Sequence, residues 1–255
     1  YAIMSNHYHI VVRIDVDEAM SWSDEEVAQR WMQIFSGPLL MHQYLGNADL
    51  TDTELECIAE LFASWRERLA DLSWFMRCIN EPIARLANAE DHCTGRFWEG
   101  RFKSQALLDA RAVLACMAYV DLNPIRTTMA KTPEQSDYTS IQERIHHPEG
   151  SCLRPFADQD DDGIPFGLKD YLELVDWGGR EIKRNKRGYI PASAPPILTR
   201  LRMDAAPVLD YLAKDDLPSF SALGPVSMLK AFASSVGRSF IKGHAFGNRL
   251  CPEQT

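Results

Sequence analysis

Long hydrophobic runs are missing from this chain of 255 residues. No apolar stretch approaches the roughly 20 residues that a membrane-spanning helix needs. No positively charged segment followed by an apolar one opens the chain, as it would in a secretory signal. Membrane proteins and exported proteins are therefore disfavoured classes, and we expect a cytoplasmic protein without a membrane partner.

Closely paired cysteines are missing as well. The sequence has no C-x-x-C motif, and its cysteines are scattered along the chain at Cys57, Cys78, Cys93, Cys116, Cys152 and Cys251. This distribution fits reduced thiols in the cytosol better than a disulfide framework or a zinc ribbon.

An excess of positive charge is also absent, because the formal net charge is −9. Taken alone, that value argues mildly against a nucleic-acid partner. The charge is uneven, however, with basic residues crowded into 96–103 and 180–187 and acidic residues crowded into 15–26, 47–60 and 158–162. A phosphate-binding face is a local property, so overall acidity does not exclude one.

Residues 1–16 predict a β-hairpin, with strands at 1–4 and 7–16 and a tight turn between them. Alternation in the second strand places Tyr8, Ile10, Val12, Ile14 and Val16 on one face, which we expect to enter the core. The opposite face carries His7, His9, Val11 and Arg13. Because residue 1 is not Met and already lies inside a strand pattern, we expect an N-terminal piece with a neighbouring strand to be missing.

His7 and His9 stand side by side on that second face. Two neutral imidazoles that converge on one point are typical metal ligands. For His-x-His alone, a pair of ordinary surface histidines is an equally good interpretation, so a third ligand and a reacting group are needed.

Capping boxes predict the first helices, one at Ser23–Glu26 and one at Thr53–Glu56. Ser73 is the expected start of a third helix, which Pro82 would kink or break. Residues 97–108 alternate again and predict a further strand or hairpin that joins the first, with a basic polar face.

A helix from Ala110 to Asn123 is predicted next, with Asp109 as its N-cap and Pro124 as its end. Tyr119 and Asn123 are neighbours on one face, apart from the apolar stripe. An amide oxygen at Asn123 is a fair ligand for Mg²⁺ or Mn²⁺, and Tyr119 is placed to attack whatever such a cation polarises. The alternative is a packing tyrosine beside a simple helix stop.

Three motifs in this order resemble a known family. His7-Tyr8-His9, then Arg96-Phe-Trp-Glu-Gly-Arg-Phe-Lys103, then Tyr119-Val-Asp-Leu-Asn123-Pro-Ile-Arg126 resemble the REP-associated tyrosine transposases, relatives of the single-tyrosine HUH transposases. The resemblance covers roughly residues 1–145. It departs from the family in the absence of the N-terminal strand region and in about a hundred additional C-terminal residues.

The resemblance implies an α+β fold in which a central antiparallel, ferredoxin-like or RRM-like sheet carries packed helices. It also implies that His7, His9 and Asn123 bind Mg²⁺ or Mn²⁺ and that Tyr119 is the nucleophile. The substrate would be single-stranded DNA beside hairpin-forming repeats, joined to Tyr119 through a 5′-phosphotyrosine. The basic residues expected to contact DNA are Arg13, Arg96, Arg101, Lys103 and Arg126.

The predicted domain organisation has a catalytic domain at 1–145, a linker with a short helix and a basic arm at 146–197, and a helical accessory region at 198–255. The favoured function is a DNA-nicking and rejoining transposase. A catalytically inactive DNA-binding regulator and a metal-dependent nuclease that uses water stay open, and so does a homodimer.

Overall fold

The computed structural model describes residues 1–147, 153–156, 163–164, 166–182, 211 and 221–250. The described chain mixes helix and strand, is mostly helical, and contains a small two-stranded antiparallel sheet. It divides into two compact units. The first unit joins residues 1–11 to 104–255, and the second comprises residues 12–103. No helix in the described ranges is long and apolar enough to cross a membrane.

In chain order, the described elements are β1 (Ala2–Ile3), β2 (Tyr8–His9), α1 (Val16–Ser21), α2 (Asp24–Met32), α3 (Leu39–Leu45), α4 (Asp52–Leu69), α5 (Leu72–Glu90), β3 (Ala106–Leu107), α6 (Ala110–Arg126), a 3₁₀ turn (Pro133–Gln135), α7 (Ser140–His146), α8 (Leu168–Ile182), β4 (Ala222–Leu223), α9 (Val226–Ser235) and α10 (His244–Leu250).

The predicted hairpin is confirmed, but its second strand is far shorter than expected. Strands β1 and β2 pair antiparallel, with Ala2 opposite His9 and Ile3 opposite Tyr8. The strand does not continue to Val16, because α1 begins there and Asp15 caps it by accepting from the Glu18 amide. A central ferredoxin-like sheet is not confirmed, since every strand in the described ranges has two residues.

Helix α6 forms the centre of the first unit and is buried almost all round. Asp109 caps it as predicted, accepting a hydrogen bond from the Ala112 amide at 2.8 Å. The prediction that Pro124 ends the helix is wrong, because the helix continues through Pro124 to Arg126. A single buried stripe was also the wrong expectation, since nearly every side chain from Ala112 to Ile125 is buried.

In β1, the side that belongs to the face expected to enter the core is the more exposed one. Ala2, which pairs with His9, is fully buried, whereas Ile3, which pairs with Tyr8, is 51% exposed. Strand β1 packs on α6, and Ala2, which lies on the same face as His9, belongs to the buried cluster of the α6 side chains. Val12, Ile14 and Val16 follow the end of the strand and are exposed, so the alternation that predicted their burial no longer applies to them.

The strand predicted over 97–108 is reduced to β3, and it does not join the hairpin. Strand β3 pairs in parallel with β4, so that Ala106 lies opposite Ala222. The remainder of the 97–108 segment forms bends and irregular structure. The prediction of a second strand on the hairpin is therefore wrong for the described residues.

The C-terminal part of the chain is helical where it is described. Helix α8 covers the short helix predicted at Tyr171–Trp177 and extends it in both directions. Helices α9 and α10 confirm helical structure in the predicted accessory region. Helix α8 includes the first residues of the basic arm, as far as Ile182. The rest of the arm and, apart from Tyr211, the helix predicted at 198–212 lie outside the described residues.

A buried carboxylate holds α6 to its neighbours. Asp121 is 1% exposed and accepts hydrogen bonds from the Ser140 hydroxyl at the start of α7 and from the Tyr171 hydroxyl of α8. Burial raises the pKa of Asp121 and also that of Tyr171, which keeps the Tyr171 hydroxyl protonated as a donor. Loss of either donor would leave a buried acceptor poorly satisfied.

We expect Tyr171→Phe to lower the free energy of unfolding by about 1–3 kcal/mol, since a buried carboxylate loses a donor. Tyr211→Phe is the matched control, because the Tyr211 hydroxyl is buried without a hydrogen bond of ordinary geometry. Its expected effect is within about 0.5 kcal/mol. Urea unfolding followed by circular dichroism measures both, and equal losses in the two variants would contradict this role for Asp121.

The second unit is a helical assembly with an aromatic core. Ser23 and Glu26 form the predicted capping box of α2. Trp31 stacks on Trp65 of α4 with ring centroids 5.0 Å apart, and both side chains are buried. Helix α5 runs uninterrupted through Pro82, so a break at that residue is not observed.

The second capping box lies two residues earlier than predicted. Thr51, not Thr53, caps α4, and the Glu54 carboxylate accepts from both the amide and the hydroxyl of Thr51. These hydrogen bonds lower the pKa of Glu54. Thr51 and Thr53 each precede a Glu by three residues, so the sequence pattern fits both positions and the backbone decides between them.

Thr51→Ala should therefore destabilise the protein by about 1 kcal/mol, whereas Thr53→Ala should be close to neutral. Part of the difference should disappear at acidic pH, because a carboxylate whose pKa is lowered in the folded state stabilises it fully above the unfolded pKa and loses that contribution as the pH falls through the folded pKa. Urea unfolding at neutral and acidic pH tests this expectation. If Thr53→Ala lost more stability than Thr51→Ala, the capping box would lie at Thr53, as predicted from sequence.

Candidate functional site

His7 adjoins the turn of the hairpin, His9 pairs with Ala2 further along β2, and the two imidazoles contact each other. Their ring centroids are 5.0 Å apart with the planes at 85°. The turn is closed by a hydrogen bond of 2.8 Å from the Met4 amide to the His7 carbonyl. His7 Nδ1 bonds to Asn6 Oδ1 at 2.7 Å, and because an amide oxygen only accepts, this contact leaves Nε2 of His7 as the nitrogen able to bind a metal.

Tyr119 lies directly beside this pair. Its ring centroid is 6.2 Å from that of His9, with the planes nearly perpendicular. The Arg126 guanidinium carbon lies 4.5 Å from the centre of the Tyr119 ring, and the Tyr211 ring packs at 5.5 Å. As a result, the Tyr119 side chain is only 1% exposed.

Asn123 follows Tyr119 by one helical turn and is also buried. Its Nδ2 donates to the Tyr119 carbonyl at 3.2 Å. This hydrogen bond uses the amide nitrogen and leaves Oδ1 as the atom that can accept a hydrogen bond or bind a cation. The i, i+4 spacing predicted from sequence therefore produces a direct contact between the two residues.

The donor set fits a divalent cation. Two imidazole nitrogens and one amide oxygen suit Mn²⁺ or Mg²⁺, with coordination positions left for substrate oxygens and water. No group of three or more His, Cys, Asp or Glu residues suited to a metal occurs in the described ranges, and the third ligand in the predicted set is the Asn123 amide. The assignment of these residues as ligands stays a prediction.

The electrostatics favour a neutral imidazole at His9. Burial, the neighbouring His7 and the Arg126 guanidinium together lower the pKa of His9 to about 4. At physiological pH the ring is therefore uncharged, which is the form that binds metals.

One buried residue beside Tyr119, namely Tyr211, was not predicted from sequence. Tyr211 packs against the Tyr119 ring, and its hydroxyl lies against the Cys116 thiol. Burial raises the pKa of Cys116 to about 11, so the thiol stays protonated and unreactive. Tyr211 belongs to no motif, and only tertiary packing could have revealed its position.

The predicted basic residues divide between the two units. Arg126 joins His7, His9, Tyr119 and Asn123 in the first unit. The other four belong to the second unit: Arg13, Arg96, Arg101 and Lys103. All four are exposed there, and Arg13 pairs with Asp15 at 2.6 Å, so their contact with DNA stays a prediction.

Comparisons of the chain with protein-family models, with curated proteins and with solved structures gave no match. The resemblance to tyrosine transposases therefore depends on the three sequence motifs, and any function has to be argued from the residues themselves.

In metal-free buffer, NMR titration should place the pKa of His9 near 4, and Arg126→Met should raise it because one neighbouring positive charge is removed. Burial and His7 should still hold it below the ordinary value of 6.5. Because the unfolded chain binds this proton at higher pH than the folded one, His9 should lower stability as the pH falls from 6.5 towards 4. Titration of His9 near 6.5 in the wild type would contradict this environment.

Proposed function

We propose that this protein is a metal-dependent enzyme that nicks and rejoins single-stranded DNA at hairpin-forming repeats, with Tyr119 as the nucleophile. The observation that carries the proposal is the contact between His9 and Tyr119, at 6.2 Å between ring centroids. This contact joins a strand near the start of the chain to a helix more than a hundred residues away. It brings together the His-x-His motif and the tyrosine motif, neither of which is specific for a function when it occurs alone.

His7, His9 and Asn123 would hold the divalent cation. When bound, it would neutralise a non-bridging oxygen of the phosphodiester and stabilise the charge that builds up in the transition state. The neutral state of His9 supports this role, and so does the hydrogen bond that occupies Nδ2 of Asn123 rather than its Oδ1.

Tyr119 would carry the covalent step. Its hydroxyl oxygen attacks phosphorus, the bond from phosphorus to the 3′ oxygen breaks, and that oxygen leaves as a 3′-hydroxyl while the tyrosine proton is lost. The product is a 5′-phosphotyrosine. A second 3′-hydroxyl can attack this ester and release Tyr119, which rejoins the strands. The permanently charged Arg126 over the ring favours negative charge on the tyrosine oxygen as the reaction starts.

The proposed larger sheet receives support from the hydrogen bonds of β1. One edge of β1 pairs with β2, and the other edge bonds to residues 138–140 through Ile3 to Tyr138 and through Ser140 to Tyr1. Strand β1 is therefore bonded on both edges, as a strand inside a sheet would be. The ferredoxin-like sheet, the homodimer and the cytoplasmic location stay proposals.

The burial of Tyr119 favours a second candidate, a DNA-binding regulator that retains the site without cleaving DNA. A side chain that is 1% exposed cannot reach a phosphodiester unless its surroundings move. For the nicking enzyme, DNA binding must therefore uncover Tyr119. A nuclease that activates water instead would need no such movement of the tyrosine.

The proposed chemistry predicts a covalent protein–DNA adduct. Wild-type protein incubated with labelled single-stranded hairpin DNA and Mn²⁺ or Mg²⁺ should give a labelled band on a denaturing protein gel. Tyr119→Phe should abolish this band because the attacking hydroxyl is gone. Tyr138→Phe is the matched control, since Tyr138 is 72% exposed and lies outside the site, and it should keep the band.

The other outcomes separate the alternatives. Cleaved DNA without an adduct, unchanged in Tyr119→Phe, would point to a nuclease that uses water. Bound but uncut DNA in every variant would point to the regulator. Loss of the adduct on adding EDTA, together with its loss in His9→Ala, would support the metal dependence.

A further inference from the structure

Arg126 is the last residue of α6, and its guanidinium is half-buried against the Tyr119 ring. Its Nη1 is buried and has no hydrogen-bond partner among the described residues. A buried cationic donor without an acceptor is unfavourable, and native proteins rarely leave one unless a ligand completes the site.

Capping of the helix does not account for this arginine. A basic residue in the last turn often donates to the final carbonyls, but here other donors use them. The Asn123 carbonyl accepts from the amide of Thr127, the Pro124 carbonyl from the amides of Met129 and Ala130, and the Ile125 carbonyl from the amide of Thr128. The Thr127 hydroxyl adds further bonds to Asn123 and Pro124.

Ion pairing does not account for it either. In the described part of the chain, Arg126 forms no salt bridge with a carboxylate. The titratable groups on which its charge acts are the His9 imidazole and the Tyr211 hydroxyl. The Tyr119 ring satisfies one face of the guanidinium by a cation–π contact and fixes its plane. The N–H edge is left for an acceptor that brings negative charge.

We propose that Arg126 binds a phosphate of single-stranded DNA, donating through Nη1 to a non-bridging oxygen beside Tyr119. That the phosphate is the one cleaved rests on the proposed function, whereas the binding itself does not. A planar guanidinium suits this task because its N–H groups match the oxygens of a phosphate. Arg126 is thus a binding residue for the substrate anion, separate from the residues proposed to hold the cation.

The test measures DNA binding in EDTA, where neither the cation nor cleavage contributes. Fluorescence anisotropy with a labelled short oligothymidylate compares the wild type with Arg126→Met, Arg126→Lys and Arg238→Met. We expect about tenfold weaker binding for Arg126→Met. For Arg126→Lys we expect an intermediate loss of affinity, because lysine keeps the positive charge but lacks the planar guanidinium with its paired N–H donors. Arg238 is exposed, so Arg238→Met controls for net charge and should bind as the wild type does.

A second probe identifies the contacted group. The same oligothymidylate with uncharged methylphosphonate linkages should bind weakly and equally to the wild type and to Arg126→Met, and inorganic phosphate should compete with the charged probe only. Circular dichroism checks the fold of each variant. If Arg126→Met fails to fold, Arg126→Lys and the competition by phosphate decide the result.

Unchanged binding of the charged probe by a folded Arg126→Met would overturn the inference. An equal loss of binding to the charged and the uncharged probe would also overturn it. That result would mean that Arg126 contacts the bases or only supports the fold. Normal binding by Arg126→Met together with a Tyr119 adduct would remove only this inference. Weakened binding by Arg126→Met without any adduct would remove only the proposed function.

Discussion

The burial of α6 on nearly all sides is the constraint on which the first unit depends. A helix in that position has no solvent to satisfy its polar side chains, so each needs a partner from a neighbouring element. Asp121 finds Ser140 and Tyr171 on one side. Residues 119 and 123 point to the opposite side because two positions along a helix turn it by about 200°. The anchoring of Asp121 therefore also fixes the helix face that carries Tyr119, which contacts His9.

The chemical character of the site follows from which charges it contains. His9 is held neutral and Arg126 is permanently positive, whereas the buried carboxylate of Asp121 is bonded to Ser140 and Tyr171 instead. Such a site disfavours a further cation unless an anion accompanies it. A phosphodiester with a divalent metal supplies both charges, which is why the proposals for the imidazoles and for Arg126 support each other without sharing a residue.

Sequence reasoning succeeded where the signal was local. Asp109, Ser23 and the turn at residues 5–6 were identified because a cap or a tight turn depends on a few adjacent residues. It failed where local patterns compete. Thr51 and Thr53 fit the same capping motif, and the alternation after His9 continues in the sequence although the strand does not. Pro124 ends many helices, but tertiary packing carries this one past it.

The sequence by itself determined the chemical inventory of the site: two histidines at strand spacing, a tyrosine and an asparagine at helical spacing, and an arginine after the proline. Only the tertiary structure decided which of them meet. It placed the histidine face of the hairpin against α6, buried Tyr119 beneath Arg126 and Tyr211, and left Nη1 of Arg126 without a partner among the described residues. The physical reason is that spacing fixes a side chain's direction on its own element, whereas burial and neighbours depend on packing between elements distant in sequence.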